Sequence, residues 1–387
     1  MSEYNFDEII NRTGTNSLKW DVRDGELPMW VADMDFPTAP CIREAIEKRA
    51  AHGVFGYSDV PDEWYDAYFK WWLKYHNLKM EKNRLIFTTG VIPALSTAVR
   101  KFTTPAEKIV IQTPVYNIFF NSIINNGRRV LENRLKFEDG AYSMDFEDLE
   151  KKLSDPLTTM LILCNPHNPI GKIWDESTLK RVGELCAKHH VLVFSDEIHC
   201  DIVEPGREYI PFASVSEECR MNSITAVAPT KCFNIAGLNT AAVYVPEEGL
   251  YNRMNRALNT DEVAEPNAFA MDATLAAFSD EGHEWLEALN AYIEENKKTV
   301  YEFIENELQK VKAVRQDATY LMWLDMSSYT EDSKKLQAAI RSKTGLYLSP
   351  GSIFGKGGER FLRMNVACPR SLVIDGLNRL KTALNMG

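Results

Sequence analysis

Several things are missing from this sequence, and each absence excludes a class of protein. No stretch approaches 18 consecutive apolar residues, so no membrane span is expected. There is no basic excess: 44 Lys and Arg stand against 55 Asp and Glu, a net charge of −11. Binding to a phosphate backbone leans on the opposite balance, so a nucleic-acid partner is not expected. The opening MSEYNFDEII has no basic region followed by an apolar one, so no secretory signal is expected either. The seven cysteines, at 41, 164, 186, 200, 219, 232 and 368, are odd in number, scattered and without a C-x-x-C pair. That favours reduced thiols over a disulfide framework or a zinc site. Low-complexity segments and obvious repeats are also lacking. What remains is a soluble, cytoplasmic chain of 387 residues, 45% hydrophobic and 26% charged, long enough for a large core and about two domains.

What is present is a rhythm. Short apolar runs at Leu85–Thr88, Lys108–Gln112, Thr159–Cys164, Val191–Ser195, Ser223–Ala228 and Ala241–Val245 are rich in Val, Ile and Phe and bounded by Gly, Pro, Asn or Asp. They predict strands buried on both faces, as in a mostly parallel sheet. Between two of them, Glu176–His190 sets Leu179, Val182, Leu185 and Cys186 on one helical face. The alternation predicts an α/β fold with a mostly parallel central sheet flanked by helices, whose ligands bind at the carboxyl ends of the strands. The C-terminal third changes character: helices over 281–310, 334–342 and 371–385 and strands over 319–324 and 361–366 predict a smaller α+β unit. The predicted divisions are an N-terminal arm, 1–35, joining the small domain, a large domain, 36–280, and a small domain, 281–387.

Unusual polar residues follow the predicted strands, which makes one edge of the sheet the candidate site. Asn165-Pro-His-Asn-Pro-Ile-Gly171 places two X-Pro steps after a strand and aims Asn168 outward; a plain strand-to-helix loop reads the same way. Asp196 directly follows a buried strand and is either a helix N-cap or the partner of a buried cation. Lys231, in Ala-Pro-Thr-Lys-Cys-Phe-Asn, is either a solvated strand-end lysine or a desolvated amine able to form a Schiff base.

In series, separated by 28 residues from Asn168 to Asp196 and 35 from Asp196 to Lys231, these three positions resemble the fold-type-I pyridoxal-phosphate enzymes, the aspartate-aminotransferase superfamily. The resemblance implies pyridoxal 5′-phosphate as cofactor, with Lys231 as its Schiff-base lysine, Asp196 paired with the pyridinium nitrogen and Asn168 bonding the ring hydroxyl oxygen. A carboxylate in that place raises the ring pKa by roughly 1–3 units, each about 1.36 kcal/mol in favour of the cationic electron sink. The same resemblance makes Gly90, Val91 and Ile92, before a helix over 93–102, the phosphate cradle. It gives Tyr116 a stacking role on the ring and a place in the substrate pocket. It lets Tyr57 reach the phosphate of a neighbouring subunit, implying a homodimer with shared active sites. It makes Arg363, in Phe-Leu-Arg-Met-Asn, the fork that grips the substrate carboxylate. One departure weakens the phosphate shell: where the family often has serine three residues before the lysine, this chain has Ala228, leaving Thr230 to compensate.

Fold cannot choose a reaction within so varied a superfamily. Three features point to the carbon–sulfur β-lyase branch, which is similar to cystathionine β-lyases: Asp196-Glu-Ile-His199, which puts His199 near the ring hydroxyl; the opening Phe6-Asp7 with Arg12-Thr-Gly-Thr-Asn-Ser-Leu-Lys-Trp-Asp21; and Pro28-Met-Trp-Val-Ala-Asp-Met-Asp-Phe36. The resemblance implies β-elimination from L-cystathionine, L-cysteine or a related S-conjugate, with Lys231 as general base. Transamination shares the early steps and is the alternative, as is a regulatory protein with secondary lyase activity.

Overall fold

The computed structural model describes residues 4–385; residues 1–3 and 386–387, which the predicted arm and C-terminal domain include, lie outside the described residues. Its centre is a seven-stranded sheet formed by β1 (Leu85–Thr88), β2 (Lys108–Ile111), β3 (Arg129–Glu132), β4 (Thr158–Cys164), β5 (Leu192–Asp196), β6 (Ser223–Val227) and β7 (Ala241–Tyr244). Across the sheet the order is β1-β7-β6-β5-β4-β2-β3. All but β7 run the same way; β7 is antiparallel to both neighbours. Six of these strands match the apolar runs to within a residue or two. The seventh, β3, escapes a periodicity argument because it is an edge strand, partly exposed and ending in Arg129 and Glu132. The interior strands are apolar on both faces because helices such as Val91–Phe102 and Glu176–Lys188 cover them.

Two local differences bear on the site. The first helix after β1 begins at Val91, not at Pro93, with Gly90 as its N-cap residue. Asn168, expected to point outward, is 3% exposed and faces inward, because the loop that carries it is pinned from behind. Gly171, at φ +65°, leaves no room for a side chain: a Cβ there would lie 2.6 Å from Gln316. Its carbonyl accepts from the backbone N–H groups of both Asp317 and Ala318.

That contact reaches a second, antiparallel sheet of Lys312–Ala313, Leu321–Asp325, Phe361–Asn365 and Ser349–Pro350, in that order. Period-two alternation along Phe361–Asn365 turns Leu362 and Met364 to one face and Arg363 to the other. The N-terminal segment joins this region. Leu27–Pro28 pairs in parallel with Leu346–Tyr347, and the backbone N–H of Asn365 donates to the Met29 carbonyl. Among the described residues no helix is long and apolar enough to cross a membrane.

Candidate active site

The carboxyl ends of β1, β4, β5 and β6 open onto one cavity of about 210 Å³. Gly90, Val91, Ile92, Tyr116, Asn168, Asp196, His199, Thr230 and Lys231 are among the residues that line it. Nine separately predicted positions therefore meet in one space. The register explains how: Asp196 sits level with Cys164 on β4 and Ala226 on β6, so the loops that leave those strands converge over it.

The chemistry of the cavity lies in what its charged groups lack. Asp196 is buried and accepts one hydrogen bond, from the backbone N–H of Ile198 at 3.1 Å. It forms no ion pair among the described residues, and burial pushes its carboxyl up to about 7. Lys231 is half-buried, and desolvation lowers its amine to about 8; Asp33 and Asp196 oppose that effect and Arg363 adds to it. Its Nζ donates to the carbonyl of Ala32 at 2.7 Å. His199 is held neutral, lowered to about 3 by burial and by the nearby Lys231 and Arg363, and its Nδ1 has no partner.

Arg363 stands behind Asn168 and is not among the residues lining the cavity. One guanidinium nitrogen donates to Asn168 Oδ1 at 3.1 Å and another to the Trp30 carbonyl at 2.9 Å. Nε is buried without a partner, and no carboxylate pairs with the group among the described residues. Burial lowers it to about 10. A buried guanidinium with neutral partners alone is a receptor for an anion. Tyr57 lies elsewhere: its side chain is fully exposed, beside exposed Val54 and Phe55.

These residues fit pyridoxal phosphate. A desolvated carboxylate short of a cation suits a pyridinium nitrogen, and a half-buried amine of lowered pKa suits an aldehyde. Gly90, Val91 and Ile92 supply N–H groups at a helix start, where Pro93 has none and where the first intrahelical bond is Ala94 N–H to the Gly90 carbonyl. A Cβ on Gly90 would come within 3.1 Å of Pro93, so the turn suits glycine. Sequence reasoning missed the backbone of Trp30 and Ala32 as contact points for Arg363 and Lys231. It also missed Asn239, eight residues beyond Lys231, whose left-handed backbone turns it into the cavity wall. The string around Trp30 stood out in sequence, but carbonyl oxygens carry no sequence signal.

Comparison with known proteins agrees with this geometry. Residues 27–380 match the family model for aminotransferase class I and II. The chain is 44% identical to cystathionine beta-lyase PatB of Bacillus subtilis, over 98% of this chain and 100% of that protein. It is 32% identical to protein MalY of Escherichia coli, over 98% and 99%. Cystalysin from Treponema denticola, whose crystal structure contains a pyridoxal 5′-phosphate cofactor, superposes with a TM-score of 0.95 at 33% identity, covering 99% of both chains.

Proposed function

The chain belongs to the aminotransferase class I and II family, and on that premise we propose that it is a pyridoxal-phosphate-dependent carbon–sulfur β-lyase. It breaks the Cβ–S bond of L-cystathionine, L-cysteine or a related S-conjugate, releasing a thiol and, with uptake of one water, pyruvate and ammonia. The observation that carries the reading is the pairing, in one cavity, of a buried cation-deficient Asp196 with a desolvated Lys231 amine. Full-length likeness to a cystathionine β-lyase supports carbon–sulfur cleavage as the outcome.

When bound, the cofactor supplies an electron sink for the negative charge that develops at the substrate Cα. Asp196 holds the proton on the ring nitrogen, since its own anion is otherwise unpaired. The N–H groups of Gly90, Val91 and Ile92, with the Thr230 hydroxyl, would hold the phosphate, and Asn168, His199 and Tyr116 would hold the ring. Arg363 fixes the substrate carboxylate by a charge-assisted fork, which orients the Cα proton. Lys231 Nζ, unprotonated in appreciable fraction near its lowered pKa, takes that proton. A thiolate then leaves from Cβ, and its low basicity makes sulfur the natural leaving atom.

The apolar loop of Val54, Phe55 and Tyr57 supports a homodimer in which Tyr57 reaches the neighbouring subunit's phosphate site. Residues 36–280 form the large cofactor domain, and 281–387 with the arm 1–35 form the small one. The seven cysteines, six of them buried and none in a disulfide, support a reducing, cytoplasmic setting.

The test is to supply L-cystathionine without a keto acid and assay pyruvate. Continuous release is expected. Product formation only when a keto acid is added would overturn the lyase reading in favour of transamination.

A further inference from the structure

The N-terminal string Trp30–Phe36 is unaccounted for by the chemistry above, yet it touches the two residues that do most of it. The carbonyls from Trp30 to Met34 all accept side-chain hydrogen bonds. Trp30 accepts from Arg363 and Ser349, Val31 from Asn365, and Ala32 from Lys231 and Tyr320. Asp33 accepts from Asn365, and Met34 from Arg12 and Asn234. The segment belongs to no helix or sheet, so these donors replace a ladder. Its side chains are pinned from outside as well. Arg12 pairs with Asp33 and Asp35, each at 2.7 Å; Lys19, 1% exposed, pairs with Asp35 at 2.7 Å; and Trp20 Nε1 donates to the same carboxylate. Two cations thus match two anions, and the cluster costs the interior no net charge.

We propose that Trp30–Asp35 is a positioning strap, held in register by the ionic clamp of Arg12, Lys19, Asp33 and Asp35, that aims Arg363 through the Trp30 carbonyl and gives the Lys231 amine an acceptor at the Ala32 carbonyl whenever that amine is free. This rests on the assignment of Lys231 and Arg363 made above. The chemical point is direction. An amine that donates one N–H to a fixed carbonyl keeps its lone pair turned elsewhere, available for a proton. Tyr320, donating to the same oxygen at 3.1 Å, holds that carbonyl in place. The strap also brings charge. The groups that face Lys231 are Asp33 from the strap, Asp196 from β5 and Arg363 from the second sheet, with neutral His199 and Tyr320 beside them. Asp33 favours the ammonium form, so it tunes the amine without touching substrate. Arg12, Lys19 and Asp33 are positioning residues in this scheme.

The experiment uses the full chain stripped of cofactor and mixed with pyridoxal phosphate across a pH series, following the rate at which visible absorbance develops. This reports the Lys231 amine without reference to turnover. In Asp33→Asn, which removes charge and keeps shape, the pH midpoint is expected to fall by about one unit. In reconstituted Lys19→Met the KM for L-cystathionine is expected to rise about tenfold, the cost of one misdirected charge-assisted contact. If Lys19→Met does not fold, Lys19→Met with Asp35→Asn removes the cation and its stranded partner together and carries the same expectation. A clamp with no role beyond folding would lower the melting temperature and leave both the midpoint and KM at wild-type values, and that result overturns the proposal. A wild-type protein that develops no absorbance at any pH would instead overturn the assignment of Lys231 itself.

Discussion

Asp196 and Asp201 lie five residues apart, and both are buried, yet the protein treats them in opposite ways. Asp196 faces the cavity with one backbone N–H for company and is pushed up to about 7 by burial. Asp201 faces the wall behind it, where Trp71 Nε1 and His76 Nε2 lie 2.9 and 2.8 Å from one oxygen. Burial would raise Asp201 too, but His76 and Trp71 overcome it and hold the carboxyl below its ordinary value. The difference separates a charge that has its partner from one still owed a partner. A satisfied buried carboxylate is architecture; an unsatisfied one is a binding site for a cation.

The contrast can be broken at either end. Asp196→Asn removes the charge owed to the ring nitrogen and should lower kcat for pyruvate release by roughly 10³-fold, through loss of the cationic ring form. Its melting temperature without cofactor should not fall. Asp201→Asn should do the reverse. Stranding the His76 contact is expected to cost ~3 kcal/mol in denaturant titrations, with kcat within about threefold of wild type for the folded fraction. Similar losses of turnover in both variants would end the distinction.

Arg363 is the cationic counterpart of Asp196, buried without an anion. Arg363→Lys keeps the charge and loses the fork, so KM for L-cystathionine should rise about 10²-fold with a smaller change in kcat. A rise confined to kcat would remove Arg363 from substrate binding. The gentlest test is pH. Asp196 has a folded-state pKa above its unfolded value, so the stability it contributes is present at low pH and is lost as pH rises through about 7. Without cofactor, wild type should therefore lose stability relative to Asp196→Asn as pH rises from about 4 to about 7, and the gap should level off above that. Bound cofactor should abolish that trend, because the pyridinium then stabilises the anion. A stability gap that stays flat across this range would mean Asp196 already has a cation in the cofactor-free chain.

Much of this site was legible in the sequence because the parallel sheet writes it in order. Each buried strand is a short apolar run, and the residue just after it lands on one edge, so Asn168, Asp196 and Lys231 could be placed together from spacing and resemblance. The edge strand Arg129–Glu132 was not legible, since half-exposed strands lack a continuous apolar run. Nor was the inward turn of Asn168, which depends on Gly171 packing against Gln316, 145 residues further along the chain.

By itself the sequence determined which chemical groups the protein has and the order in which a βαβ repeat would deliver them to one edge. It also determined the absence of a basic face, because composition is a property of the chain and not of its folding. Only the tertiary structure decided which charges are paired. The carboxylates of Asp196 and Asp201 differ in function through neighbours from other elements, and those of Asp33 and Asp35 through cations from the preceding segment. The aim of Lys231 and Arg363 was decided there too, by carbonyl oxygens that every residue possesses. Desolvation and hydrogen-bond direction depend on what lies within a few ångströms in space, and a linear order of residues does not carry that information.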